Sequence, residues 1–184
     1  MRVNPTALPG VLVIEPRVIA DTRGEFFESY RTDEYERVTR TRFVQDNVSV
    51  SQARVLRGLH LQEPRPQAKL VSVLEGEVVD VAVDVRVGSP TFGRSTVCRL
   101  SEQNRRQLYI PTGFAHGFVV MRERAIVCYK CSDYYDALNE ITIRWDDPEL
   151  AIPWPVRDVI LSPRDAGAQS LADLRDRLPR YEDS

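Results

Sequence analysis

The sequence predicts an all-β domain, a sandwich or barrel of short strands. Two observations carry that reading. Short β-type runs recur from residue 11 to residue 145, spaced about 8–12 residues apart and separated by turn residues. Within Val78–Val85 the apolar residues alternate strictly: Val79, Val81, Val83 and Val85 fall on one face, Asp80, Ala82 and Asp84 on the other. A length of 184 residues is enough for one domain with a substantial core.

The runs follow in order. VLVIEP (11–16) is apolar and stops at a proline. GEFFESY (24–30) pairs aromatics with acids, and FVQDNVSVS (43–51) alternates before VLRGLHLQ (55–62). AKLVSVLEG (68–76) and EVVDVAVDVR (77–86) flank Gly76, which reads as a tight hairpin turn. TFGRSTVCRL (91–100), RRQLYIP (105–111), HGFVVM (116–121), AIVCYKCSDYY (125–135) and EITIRW (140–145) complete the set. Helices are expected only at 32–40, capped by Thr32 or Asp33, and at 170–178. In the second, Ser170 caps, Asp173 takes the capping-box position, and Leu171, Leu174 and Leu178 form a stripe. The proline-punctuated stretch 146–155 reads as an irregular covering segment.

Composition narrows the function. With 25 basic and 27 acidic residues the net charge is −2, so no broad basic field is available for nucleic acid. No apolar run approaches the roughly 20 residues that span a bilayer, and MRVNPTALPG has no secretory h-region. Three cysteines in β-type runs suit a reducing cytoplasm. Cys128 and Cys131 are three apart on a strand, hence on opposite faces, and no second pair completes a zinc site.

The chemistry concentrates around the two histidines. His60 ends VLRGLH and His116 sits in IPTGFAHGF; imidazole is the side chain suited to proton transfer near neutral pH. Arg57 and His60 would point apart on a regular strand, but a bulge at Gly58 would bring them together as an anion site beside a base. Lys69 opens a buried strand. Such a lysine is ordinarily a solvated end, yet it could reach into a barrel mouth and steady an oxyanion. Tyr129 lies within a strand, with Tyr135 six residues on and on the same face if the strand continues. A tyrosine hydroxyl in a cavity can donate a proton. Asp165, in ILSPRD, is either a solvated loop acid or the orienting partner of a histidine base.

Taken together these phrases make the chain recognisable. DTRGEFFESY, FVQDNVSVSQARVLRGLHLQ, QAKLVSVLEGEVVDVAVDVRVGSPTFG, QLYIPTGFAHGF, YKCSDYY and WPVRDVILSPRD occur in the order found in the dTDP-4-dehydrorhamnose 3,5-epimerase family, which the sequence resembles over nearly its whole length. The resemblance implies a cupin-type jelly roll, a homodimer, no cofactor and no metal, and a dTDP-linked 4-keto-6-deoxy sugar as substrate. It implies His60 as base, Asp165 as its dyad partner, Lys69 on the enolate oxygen and Tyr129 as the opposing acid. Arg57 would contact pyrophosphate. Arg23, Phe26 and Glu28 match positions that hold the nucleotide, some across the dimer interface; Gln45, Asn47, His116 and Arg164 match binding positions, and Tyr135 matches an aromatic packed on the nucleotide.

The chain departs from the family in reading LHLQ, with Leu61, where LHYQ is common. Its loop from His60 to Lys69 is about one residue shorter, and DALNE follows Tyr135 in place of a proline-containing form. The departures bear on which sugar is used and how many centres are inverted. An iron-dependent cupin would need more nitrogen ligands than two histidines supply. A ketoisomerase and a non-catalytic sugar-nucleotide-binding cupin are the other readings.

Overall fold

The computed structural model describes residues 1–182. The N-terminal third contributes β1 (Arg2–Pro5), β2 (Leu12–Glu15), β3 (Ile19–Asp21), β4 (Gly24–Phe26), α1 (Thr32–Thr39) and β5 (Gln45–Gln52). The central run is β6 (Leu56–Gln62), β7 (Lys69–Glu75), β8 (Glu77–Asp84), β9 (Ser95–Ser101), β10 (Gln107–Ile110), β11 (Phe114–Val120), β12 (Arg124–Cys131) and β13 (Glu140–Thr142). Two short helices, α2 (Pro163–Ala166) and α3 (Leu171–Leu174), and a 3-10 turn at Arg175–Arg177 close the described chain.

The strands form two facing antiparallel sheets, ordered β1-β2-β10-β7-β12-β5 and β13-β6-β11-β8-β9. That is a cupin-type jelly roll, as the resemblance implied. β3 and β4 pair apart from both sheets as an exposed two-stranded ribbon.

Three apolar layers hold the fold. Val71, Val78, Ala82, Leu108, Phe118 and Val127 fill the space between the sheets. Leu59, Leu61, Val79, Val81, Val83 and Ile141 form the outer face of the five-stranded sheet and pack under Trp145, Trp154, Leu171, Leu174 and Leu178. The segment 146–155 therefore does cover a sheet, as its prolines suggested. Tyr35 of α1 seals the third layer against Ile14, Leu70 and Tyr109.

The register of β8 is the expected one, but its polar face is not a solvent face. Asp80 and Asp84 are fully buried. Asp84 accepts hydrogen bonds from Arg86 Nε at 2.9 Å, Arg86 Nη2 at 2.7 Å and Thr91 Oγ1 at 2.6 Å, and a further one from Ser89. Burial alone would raise its carboxyl, but these donors hold it below the ordinary carboxylate value. A depressed folded value means stability that is present above the unfolded value near 4 and lost as pH falls through the folded one. Asp84→Ala leaves the partly buried Arg86 unpaired. It should cost about 3 kcal/mol at pH 7, and urea unfolding should show the gap to wild type narrowing below about pH 4. A gap unchanged between pH 7 and pH 3 would contradict this.

Four local expectations need correction. Gly76 does not turn a hairpin: only one residue separates β7 from β8, which lie in different sheets. The smallest common hairpin loop has two residues. Gly76 turns a corner between sheets at φ +78°, where a Cβ would lie 2.1 Å from the carbonyl oxygen of Arg124. The cap of α1 is Arg31, which makes no side-chain capping bond, rather than Thr32 or Asp33. The 170–178 helix is one α turn followed by the 3-10 turn, although the Ser170 cap and the buried leucines are as expected. β12 stops at Cys131, so Tyr135 is not on a continuing strand face. Cys128 and Cys131 are both free thiols, and among the described residues no cluster of three metal-ligating side chains forms.

Candidate active site

A cavity of about 440 Å³ lies between the two sheets, within the usual size of a small-ligand site. The six-stranded sheet supplies Gln45, Asn47 and Ser49 from β5, Lys69 from β7, and Tyr129 and Cys131 from β12. The five-stranded sheet supplies Arg57 and His60 from β6, His116 and Phe118 from β11, and Glu140 from β13. Gln67, Tyr135 and Arg164 reach in from loop and helix.

The bulge that brings Arg57 and His60 together is present. His116 pairs with His60, and Phe118 pairs with Arg57; one residue on β11 thus opposes two on β6. Gly58 has φ +117°, and a Cβ there would lie 2.6 Å from both the Gly117 Cα and the His116 carbonyl oxygen. Those neighbours are backbone and cannot swing aside. Gly58→Ala should therefore destabilise the fold by about 2–4 kcal/mol, read as a lowered urea midpoint. A variant as stable as wild type would show that the bulge does not depend on glycine.

His60 Nε2 lies 2.6 Å from Asp165 Oδ1. Asp165 is not a loop acid: Ser162 caps α2, its hydroxyl accepting from the Asp165 N–H at 3.1 Å and donating to Oδ2 at 2.9 Å. Burial pushes the Asp165 carboxyl up, but the hydrogen bond from His60, with help from Ser162 and Gly58, holds it below the usual value. An ionised carboxylate only accepts, so Nε2 donates to Asp165 and Nδ1 is the ring nitrogen left to act as a base. Glu140 Oε1 stands 3.9 Å from that Nδ1 and also pairs with Arg164.

His116 repeats the arrangement more deeply. Its Nε2 is 3.0 Å from both Asp80 oxygens. Burial lowers its imidazolium below the ordinary value, against the opposite pull of Asp80, so the ring is neutral at pH 7. Lys69 is also lowered by burial, opposed by Cys131 and Asp80, and it forms no ion pair among the described residues. Burial raises the Tyr129 phenol, Cys131 and Tyr135 adding to the effect while Arg57 opposes it; the hydroxyl keeps its proton at neutral pH. The cavity thus has a basic nitrogen on one sheet, with a phenol and an ammonium on the other. That is the equipment for removing a proton from carbon on one side and returning it on the opposite side.

Tyr135 reaches the cavity from a turn. Gln62 donates to the carbonyl oxygens of Arg65 and Tyr134 and accepts from the Asp136 N–H, and Gln45 accepts from the Tyr135 N–H. The Tyr135 hydroxyl donates to Glu140 at 2.8 Å. Leu61 points the other way, into the layer under the C-terminal segment, so reading LHLQ alters packing rather than the cavity wall. Leu138, in DALNE, is 91% exposed.

Arg23, Phe26 and Glu28 do not line this cavity. Arg23 and Phe26 belong to the exposed ribbon, where Arg23 pairs with Asp21, and Glu28 follows it. Five cavity residues were not anticipated: Ser49, Gln67, Phe118, Cys131 and Glu140. Period two along β5 and β12 could have found Ser49 and Cys131 from Asn47 and Tyr129. Glu140 had no local signal, because only the pairing of β13 with β6 brings it to His60.

Fold and site together define a cupin-type enzyme whose cavity sets a histidine–carboxylate pair opposite a phenol and a lysine. Residues 5–173 match the family described as dTDP-4-dehydrorhamnose 3,5-epimerase. A dTDP-4-dehydrorhamnose 3,5-epimerase of Pseudomonas aeruginosa is 49% identical over 176 residues, covering 94% of this chain and 97% of that protein. One of the same description from Neisseria gonorrhoeae is 46% identical over all of this chain, which spans 56% of that longer protein. The crystal structure of dTDP-6-deoxy-D-glucose-3,5-epimerase from Legionella pneumophila, in complex with dTDP-4-keto-L-rhamnose, superposes with a TM-score of 0.96 at 49% identity, covering 99% of both chains. The chain belongs to the dTDP-4-dehydrorhamnose 3,5-epimerase family.

Proposed function

We propose that this enzyme epimerises dTDP-4-dehydro-6-deoxyglucose at C3 and C5 to dTDP-4-dehydrorhamnose. The C4 ketone acidifies both neighbouring C–H bonds. His60, oriented by Asp165, takes the proton; Lys69 steadies the enolate oxygen; Tyr129 returns a proton to the other face. The observation that carries this reading is the placement of the His60–Asp165 pair and of Tyr129 with Lys69 on opposing sheets around one cavity. Arg57 serves the pyrophosphate, Gln45, Asn47, His116 and Arg164 hold the rest of the substrate, and Tyr135 packs on the base. No cofactor is required by this chemistry.

The working form is a homodimer. Val48 and Val50 are 62% and 56% exposed on the edge strand β5, and Leu74 adds to the same kind of apolar surface; an apolar edge invites a partner. In that dimer the ribbon carries Arg23 and Phe26, with Glu28 beside them, to the partner's nucleotide. The place of action is the cytoplasm, a reducing compartment that suits the free thiols Cys98, Cys128 and Cys131.

Product analysis tests the reaction. Borohydride reduction of the incubated keto sugar should give rhamnose and 6-deoxytalose configurations, the signature of inversion at both centres. Recovery of quinovose and fucose alone would contradict it, and a singly inverted sugar would make the enzyme a mono-epimerase.

A further inference from the structure

The inner face of β5 carries a row of polar side chains at period two: Gln45, Asn47, Ser49 and Ser51. The first two are engaged with each other, with Cys131 and with the Tyr135 backbone. The last two have no place in the proton-transfer scheme. Ser51 is buried, 4% exposed, and its hydroxyl accepts a hydrogen bond from Arg57 Nε at 3.0 Å. A guanidinium is a rigid plane with five N–H donors. Holding Nε fixes the direction of the two terminal nitrogens, and those make no hydrogen bond or ion pair among the described residues.

Ser49 stands two residues back on the same face, about 7 Å along the strand. It lines the cavity, yet its hydroxyl oxygen is buried and has no hydrogen-bond partner. An orphan hydroxyl is costly unless a ligand satisfies it, and a rotation about χ1 is all that turns it toward the cavity. Arg164, another cavity cation, is already paired with Glu140. Lys69 is unpaired too, but the proposed chemistry gives it to the enolate oxygen; the Arg57 guanidinium and the Ser49 hydroxyl are the unpaired donors that scheme does not use.

We propose that Ser51 is a positioning residue that aims Arg57 at the diphosphate, and that Ser49 donates directly to a diphosphate oxygen. This rests on the nucleotide-sugar reading above. The test is calorimetric titration of the full chain with dTDP and with thymidine, alongside steady-state kinetics. Ser51→Ala should weaken dTDP binding about tenfold, the worth of one charge-assisted hydrogen bond, while thymidine affinity and kcat stay within about twofold and KM rises. Ser51→Thr keeps the hydroxyl and should restore dTDP affinity. Ser49→Ala should weaken dTDP about threefold to tenfold with the same indifference to thymidine.

If wild type fails to bind dTDP, the nucleotide-sugar reading falls and this inference falls with it. If wild type binds but Ser51→Ala binds dTDP unchanged, or loses dTDP and thymidine equally, the positioning role alone is overturned. Unchanged dTDP affinity in Ser49→Ala overturns the direct contact.

Discussion

His60→Asn is expected to lower the rate of epimerisation at least about a thousandfold, within the range that a general base contributes, while dTDP affinity changes little. The reason is geometric. Asp165 holds the Nε2 proton at 2.6 Å, so the side chain's one basic atom is Nδ1. An asparagine amide fills similar space and still donates to Asp165, but offers no lone pair of comparable basicity. No nearby group replaces it: His116 is buried against Asp80, and Glu140 is tied to Arg164 and Tyr135. Both C3 and C5 should lose solvent exchange together. Exchange at wild-type rates in the variant would remove His60 from the role of base.

Tyr129→Phe is the second large effect, and it differs in kind. In the proposed mechanism abstraction from carbon uses His60 and Lys69, and inversion also uses a proton from the opposite sheet. Loss of the phenol should therefore slow epimerisation about a hundredfold or more, while exchange of the C–H hydrogens with solvent, by return from His60 to the original face, stays within about tenfold of wild type. Burial keeps the phenol protonated, so the fault lies in delivery of the proton and raising the pH cannot mend it. Equal loss of exchange and inversion would mean that Tyr129 contributes to abstraction or to binding.

Much of this site was legible because its residues carry their own local signals. Gly58 announced the bulge, and the bulge is what joins Arg57 to His60. Asp80 and Asp84 showed the register of β8, but not that its polar face would turn inward to hold His116 and Arg86. Periodicity says which residues share a face; it is silent about what covers that face. The corner at Gly76 is hidden for the same reason, since a turn residue between two strands looks alike whether the strands pair or part. Glu140, and Asp165 as a helix residue rather than a loop acid, depend on contacts between distant segments that no window of sequence contains. β1 carries no strand signal in the sequence because Asn4 and Pro5 disfavour a strand, and they are tolerated at the sheet edge.

The most direct test of the central claim is proton NMR of dTDP-4-keto-6-deoxyglucose incubated with the enzyme in D₂O. Deuterium entering at both C3 and C5, each with inversion, is the predicted result. Retention of both hydrogens would contradict proton abstraction in this cavity, and with it the roles given to His60, Lys69 and Tyr129.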